Sequence, residues 1–173
     1  MTKTLDLTKI DLRDALDFAS LIEDEARERY EELASQMETQ HTAEAASFFH
    51  FMAKNEAKHG EVLAERRKRL FPSLPCRVDR SMLWDVEAPA YETVHAFMTK
   101  KEALEVALTA EVKAYDFFVE ALKVMPAGEV KALFEELRQE EIHHQELVKA
   151  EMAKLGPEDS FPTEDFADEP VAQ

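Results

Sequence analysis

Two Glu-x-x-His units stand out in this chain: Glu56-Ala57-Lys58-His59 and Glu141-Ile142-His143-His144. A carboxylate and an imidazole three residues apart on a helix project from the same side. Each unit interrupts an otherwise apolar helical stripe. A carboxylate buried in such a stripe without a counter-charge costs several kcal/mol or takes up a proton. A bound metal ion removes that cost, so the pattern points to a metal site inside a helical core.

The elements that must position these groups follow from apolar periodicity. A first helix is expected over Leu12 to Met37, with Asp11 as N-cap and Leu12, Ala15, Leu16, Ala19, Ile22, Ala26, Tyr30, Leu33 and Met37 on its apolar face. A second is expected over Ala43 to Leu70, with Thr42 as its cap and Pro72 and Pro75 beyond its end. Residues 71 to 98 form a long connection holding Pro72, Pro75, Pro89, Trp84 and Tyr91. Its composition is unlike a flexible linker, and it is expected to pack along the helices with short helical pieces. Thr99 and Glu102 form a capping-box pattern that opens a third helix reaching Val124. The fourth covers Glu129 to Leu155, with Gly156 as its stop. The fold class is therefore all-α: a four-helix bundle with a long crossover between helices 2 and 3, one domain over 1–156. The tail, 157–173, carries six acidic residues, no basic ones and three prolines, and is expected to be disordered.

The two halves repeat. Phe49, Met52, Glu56 and His59 align with Phe134, Leu137, Glu141 and His144, and Glu23 and Tyr30 align with Glu111 and Phe118. The repeat resolves an ambiguity, because Glu140 and His143 form a second Glu-x-x-His unit one residue earlier. One residue is about 100° around a helix, which turns that pair away from the Val130–Phe134–Leu137–Val148 stripe. Glu141 and His144 are thus read as inward. The candidate metal ligands are Glu23, Glu56, His59, Glu111, Glu141 and His144. Four carboxylates balance two divalent ions when both imidazoles are neutral. Oxygen-rich sites with one imidazole per metal suit iron or manganese better than structural zinc, which prefers thiolates or several histidines. In this reading Glu56 and Glu141 bridge, Glu23 and Glu111 are terminal, and each histidine completes one metal. Tyr30, one side-chain layer from Glu23, is the candidate catalytic residue, as a hydrogen-bond donor to a ligand or a redox relay. His41, His50, His95 and His143 are read as ordinary surface or packing histidines.

Composition excludes other classes. A net charge of -16 argues against nucleic acid and against anionic membrane surfaces. Cys76 is the one cysteine, so no intrachain disulfide or Cys-x-x-Cys motif exists. No stretch approaches ~18 consecutive apolar residues and the N-terminus lacks an apolar signal core. A cytoplasmic protein is expected.

One Glu from each of two helices plus Glu-x-x-His from each of the other two is the known ligand pattern of ferritin-like di-iron and di-manganese bundles. Within that group, Glu23–Ala26-Arg27–Arg29-Tyr30, Glu56–His59 and Leu137–Glu140-Glu141–His144 closely resemble rubrerythrin motifs, over roughly residues 11 to 155. The resemblance implies a ferritin-like bundle around two iron ions, with manganese as the alternative, that reduces hydrogen peroxide or dioxygen in oxidative-stress defence. Full-length rubrerythrins add a rubredoxin-like domain with four cysteines; here a separate electron donor is implied. Rubrerythrins also carry an extra glutamate near the third-helix ligand, whereas Ala114 stands three residues after Glu111. That brings the set closer to the four-Glu, two-His pattern of bacterioferritin-like or erythrin-like proteins, and keeps open the alternative of a ferroxidase in iron storage or detoxification. A homodimer or larger homo-oligomer is implied by the same resemblance.

Overall fold

The computed structural model describes residues 6–40, 42–82, 86–95 and 97–160. It contains four long helices: α1 (Leu12–Thr39), α2 (Ala43–Leu70), α3 (Lys100–Val124) and α4 (Glu129–Met152). No strand occurs among the described residues. Short connections make α1 and α2 one antiparallel hairpin and α3 and α4 another. The hairpins close on each other through side chains. Phe18 of α1 meets Phe117 of α3 and Phe134 of α4, and the Arg66 guanidinium of α2 donates to Glu136 of α4 at 2.6 Å.

Helix ends follow local chemistry. The Asp11 side chain accepts from the Asp14 amide, and Thr99 and Glu102 complete a reciprocal capping box. Thr42 does not cap α2 in the expected way. Its hydroxyl turns back to the Met37 carbonyl and sulfur, which serves the α1–α2 turn instead. The fourth helix stops at Met152, three residues before the expected end. Its last carbonyls are taken by the backbone amides of Ala153, Lys154 and Leu155 in a tightening turn, and Gly156 is tied by its amide to Asp159 rather than stopping the helix.

The crossover packs on the bundle as expected, with 3₁₀ turns at Arg80–Met82 and Tyr91–Thr93 and with Val78, Val86 and Ala88 buried. Trp84, His41 and the tail beyond Ser160 lie outside the described residues. Pro157–Ser160, at the start of the tail, forms a 3₁₀ turn.

The apolar core falls into two clusters. One gathers Leu16, Phe18, Phe118 and Phe134. The other gathers Leu33, Phe49, Met52 and Leu104. The candidate ligands of α1 to α4 interrupt the core along each helix between residues of the two clusters. Gly60 of α2 stands at the same level, where an added Cβ would meet only Glu23 Cβ, at an ordinary 3.6 Å. Gly60→Ala should therefore be accommodated and should raise stability by about 0.5–1 kcal/mol through helix propensity. A thermal melt of the metal-free variant checks this.

Candidate metal centre

Each helix brings its carboxylate inward. Glu23, Glu56, Glu111 and Glu141 are 3, 0, 0 and 2 % exposed, and His144 is 1 % exposed. Glu140 and His143 are exposed, so the register read from the internal repeat is the one the fold adopts. The matched apolar pairs Phe49/Phe134, Met52/Leu137 and Tyr30/Phe118 are also all buried.

The groups converge on His144. Its Nδ1 lies 3.1 Å from Glu111 Oε2 and 3.9 Å from both Glu56 Oε1 and Glu141 Oε2. The His59 ring stacks on the His144 ring with centroids 4.8 Å apart. His59 is the more accessible of the two, with a quarter of its side chain exposed and its Nε2 3.9 Å from Glu140 Oε2. Glu23 adjoins Glu56 from α1. Tyr30 is completely buried and donates its hydroxyl hydrogen to Glu111 Oε1 at 2.8 Å. Its partner is thus the carboxylate on α3, across the bundle, and not its helical neighbour Glu23.

A fifth carboxylate joins these four. Glu87, in the crossover, is 1 % exposed. Ligand atoms of Glu56, Glu87, Glu111 and His144 lie within 4.8 Å of one another, as do those of Glu56, His59 and His144. Helical periodicity could not reveal Glu87, because it belongs to no helix. The available signal was local: Glu87 is the one charge in the run Val86-Glu87-Ala88-Pro89-Ala90, a composition suited to a buried extended segment.

Burial dominates the electrostatics. It pushes Glu56, Glu87 and Glu141 well above the ordinary carboxylate range, with mutual repulsion adding to it, and raises Glu23 to about 7. Burial pulls His144 toward neutrality, but the hydrogen bond to Glu111 and the surrounding carboxylates outweigh it and raise the ring above its usual value. His59 is lowered, first by burial and then by His144. Burial and the charge of Glu111 keep Tyr30 protonated far above its normal range.

Several buried atoms of the cluster have no hydrogen-bond partner: Glu23 Oε2, both oxygens of Glu56, both of Glu87, Glu141 Oε2, His59 Nδ1 and His144 Nε2. Such groups are costly to bury unless paired. Acceptors crowded together with little but one another to bind form a cation-binding arrangement. The donor set is oxygen-rich with two imidazoles, which fits iron or manganese. The residues present therefore fit a metal centre.

Comparison with known proteins agrees with this geometry. None of the curated proteins matches the chain. Among solved structures, an uncharacterized conserved protein from Magnetospirillum magnetotacticum is 28% identical, with TM-score 0.66, over 85% of this chain and 97% of that one. A hypothetical protein from Pyrococcus furiosus is 22% identical, with TM-score 0.55, over 86% of this chain and 94% of the other, and shares the fold. The model of the family described as Rubrerythrin matches residues 14–152, which span all four helices and every carboxylate and imidazole of the cluster. With its four-helix architecture and buried Glu/His centre, this chain belongs to the rubrerythrin family.

Proposed function

We propose that the protein is a non-haem di-iron oxidoreductase that reduces hydrogen peroxide or dioxygen in defence against oxidative stress. The observation that carries this reading is the buried cluster of carboxylates and imidazoles, several of whose oxygens and nitrogens lack a hydrogen-bond partner. Family membership supports a di-iron protein, and the ligand chemistry supports iron over zinc. Glu23, Glu56, Glu111, Glu141, His59 and His144 would hold the two ions: Glu56 and Glu141, from the two Glu-x-x-His helices, would serve both, and Glu23, Glu111 and the two histidines would each serve one. Bound iron would supply the electrons for peroxide or dioxygen reduction.

The protein's own residues do the remaining work. The two apolar clusters flank the site and limit water around the carboxylates, which strengthens their hold on a cation. Half-buried His59 marks the side from which a molecule as small as peroxide reaches the centre. Tyr30 holds its proton and fixes one oxygen of Glu111, leaving the other turned to His144. Cys76 alone cannot build a four-thiolate iron site, so reducing equivalents would reach the centre from outside these 173 residues.

Tyr30→Phe tests the positioning role. It should weaken metal binding by about 10-fold, in the range found when a ligand loses its outer hydrogen bond. It should destabilise the metal-free fold by only about 1 kcal/mol. Unchanged metal affinity would remove Tyr30 from the centre.

Aerobic titration of metal-free protein with ferrous iron, counting iron retained after desalting, tests the function itself. The expected result is about two irons per chain, set by two Glu-x-x-His units. Retention of iron far above that number would favour storage. Retention of none would overturn the di-iron reading.

A further inference from the structure

We propose that Glu87 is a metal ligand delivered by the crossover, so that the centre is built from five carboxylates and its completion depends on the segment joining α2 to α3. This rests on the metal-binding reading above and extends it to a residue outside the four helices.

Three observations carry it. First, the Glu87 carboxylate is buried with neither oxygen hydrogen-bonded. A buried glutamate that served only packing would be replaced at no loss by an apolar residue, or would find a donor. Second, it shares one cluster with Glu56, Glu111 and His144, their ligand atoms lying within 4.8 Å of one another. An ion with bonds of about 2.1 Å spaces its donors up to roughly 4.2 Å apart, so a small contraction brings all four onto one ion. Third, the backbone just beyond Glu87 is pinned to the bundle. Lys113 Nζ of α3 donates to the Ala88 carbonyl at 2.9 Å, and Arg29 Nη1 of α1 donates to the Pro89 carbonyl at 2.5 Å.

These two cations lie on the helices that present Glu111 and Tyr30, Lys113 two residues after Glu111 and Arg29 directly before Tyr30. They hold two consecutive carbonyls, while the buried side chains of Val86 and Ala88 seat the segment on either side of Glu87. A long side chain anchored at both flanks has its carboxylate aimed before any ion arrives, which is the preorganisation a ligand needs.

The charge consequence is direct. Five carboxylates exceed the charge of two divalent ions by one, where the four helical carboxylates would only match it. The centre therefore favours ions of greater total charge than a four-carboxylate site would, and Glu87 is the residue responsible.

The test is a cobalt(II) titration of metal-free wild type and of Glu87→Gln, which keeps the side-chain size and removes the charge. Metal per chain is read by elemental analysis and coordination by the visible d–d bands. Glu87→Gln should bind one of the two cobalt ions at least ~10-fold more weakly, with changed bands for that ion. Far-UV circular dichroism of the metal-free variant should match wild type. Should Glu87→Gln not fold, Glu87→Asp keeps the charge on a shorter arm and should retain both ions with shifted bands. Wild-type affinity and bands in Glu87→Gln would overturn this inference alone, as would weakened affinity with unchanged bands. A wild-type protein that takes up no cobalt would overturn the metal-binding reading along with it.

Discussion

Glu141→Ala should abolish the paired-metal centre, while Glu140→Ala should leave metal content and activity near wild type. The two residues are adjacent in sequence and identical in type, so composition and charge are controlled. They differ only in direction. Glu141 is 2 % exposed and its Oε2 lies 3.9 Å from His144 Nδ1, whereas the Glu140 side chain is half exposed. Under the proposed assignment Glu141 would serve both ions, so the cost of losing it should exceed the roughly 10–100-fold that follows loss of an outer hydrogen bond. Glu56→Ala should behave alike, being its counterpart in the repeat. Elemental analysis after dialysis against a weak chelator measures the effect. Full metal content in Glu141→Ala with loss in Glu140→Ala would show that α4 presents the opposite face in solution.

Metal removal should make the protein's stability fall as pH rises from 5.5 to 8. Glu23, Glu56, Glu87 and Glu141 all have folded-state values above the unfolded carboxylate, chiefly through burial. A group raised on folding contributes stability that is fully present below its unfolded value and lost as pH climbs through its folded one. For Glu23 that window runs from 4.5 to about 7, worth about 3 kcal/mol at 1.36 kcal/mol per unit. His144 is also raised and acts in the same direction, while lowered His59 partly opposes it. At 2–4 °C per kcal/mol for a domain of this size, the metal-free melting temperature should drop by roughly 10 °C between these pH values. Bound metal supplies the counter-charge and competes with protons, so the loaded protein should reverse the trend and gain most at pH 8. A metal-free protein that melts higher at pH 8 than at 5.5 would show that these carboxylates are not buried together.

Much of this protein was legible in one dimension because helices repeat every 3.6 residues and carry their own punctuation. The apolar stripes locate all four helices, and the Asp11 and Thr99 caps place two of the starts to the residue. The internal repeat did more than locate helices. It distinguished Glu141 from Glu140 and singled out Glu23 and Glu111. Thr42 sits at the N-cap without its side chain capping α2, and α4 ends early, for a common reason. A helix end is a competition for a few orphaned backbone groups, and the last turn of the preceding helix, or backbone amides of the next turn, win it as readily as the residue a local rule nominates.

What the amino-acid sequence determined by itself was therefore the bundle and the inward face of each helix, which follow from the periodicity of single elements, while the match between its two halves nominated six residues as candidate metal ligands. Only the tertiary structure decided which groups share a neighbour: that Tyr30 serves Glu111 across the bundle, that His59 stacks on His144, and that Glu87 reaches the centre from the crossover. A segment without regular secondary structure has no periodicity to declare which side chain faces inward. Its direction is set by what clamps its backbone, and here those clamps are Lys113 and Arg29, on two other elements of the fold.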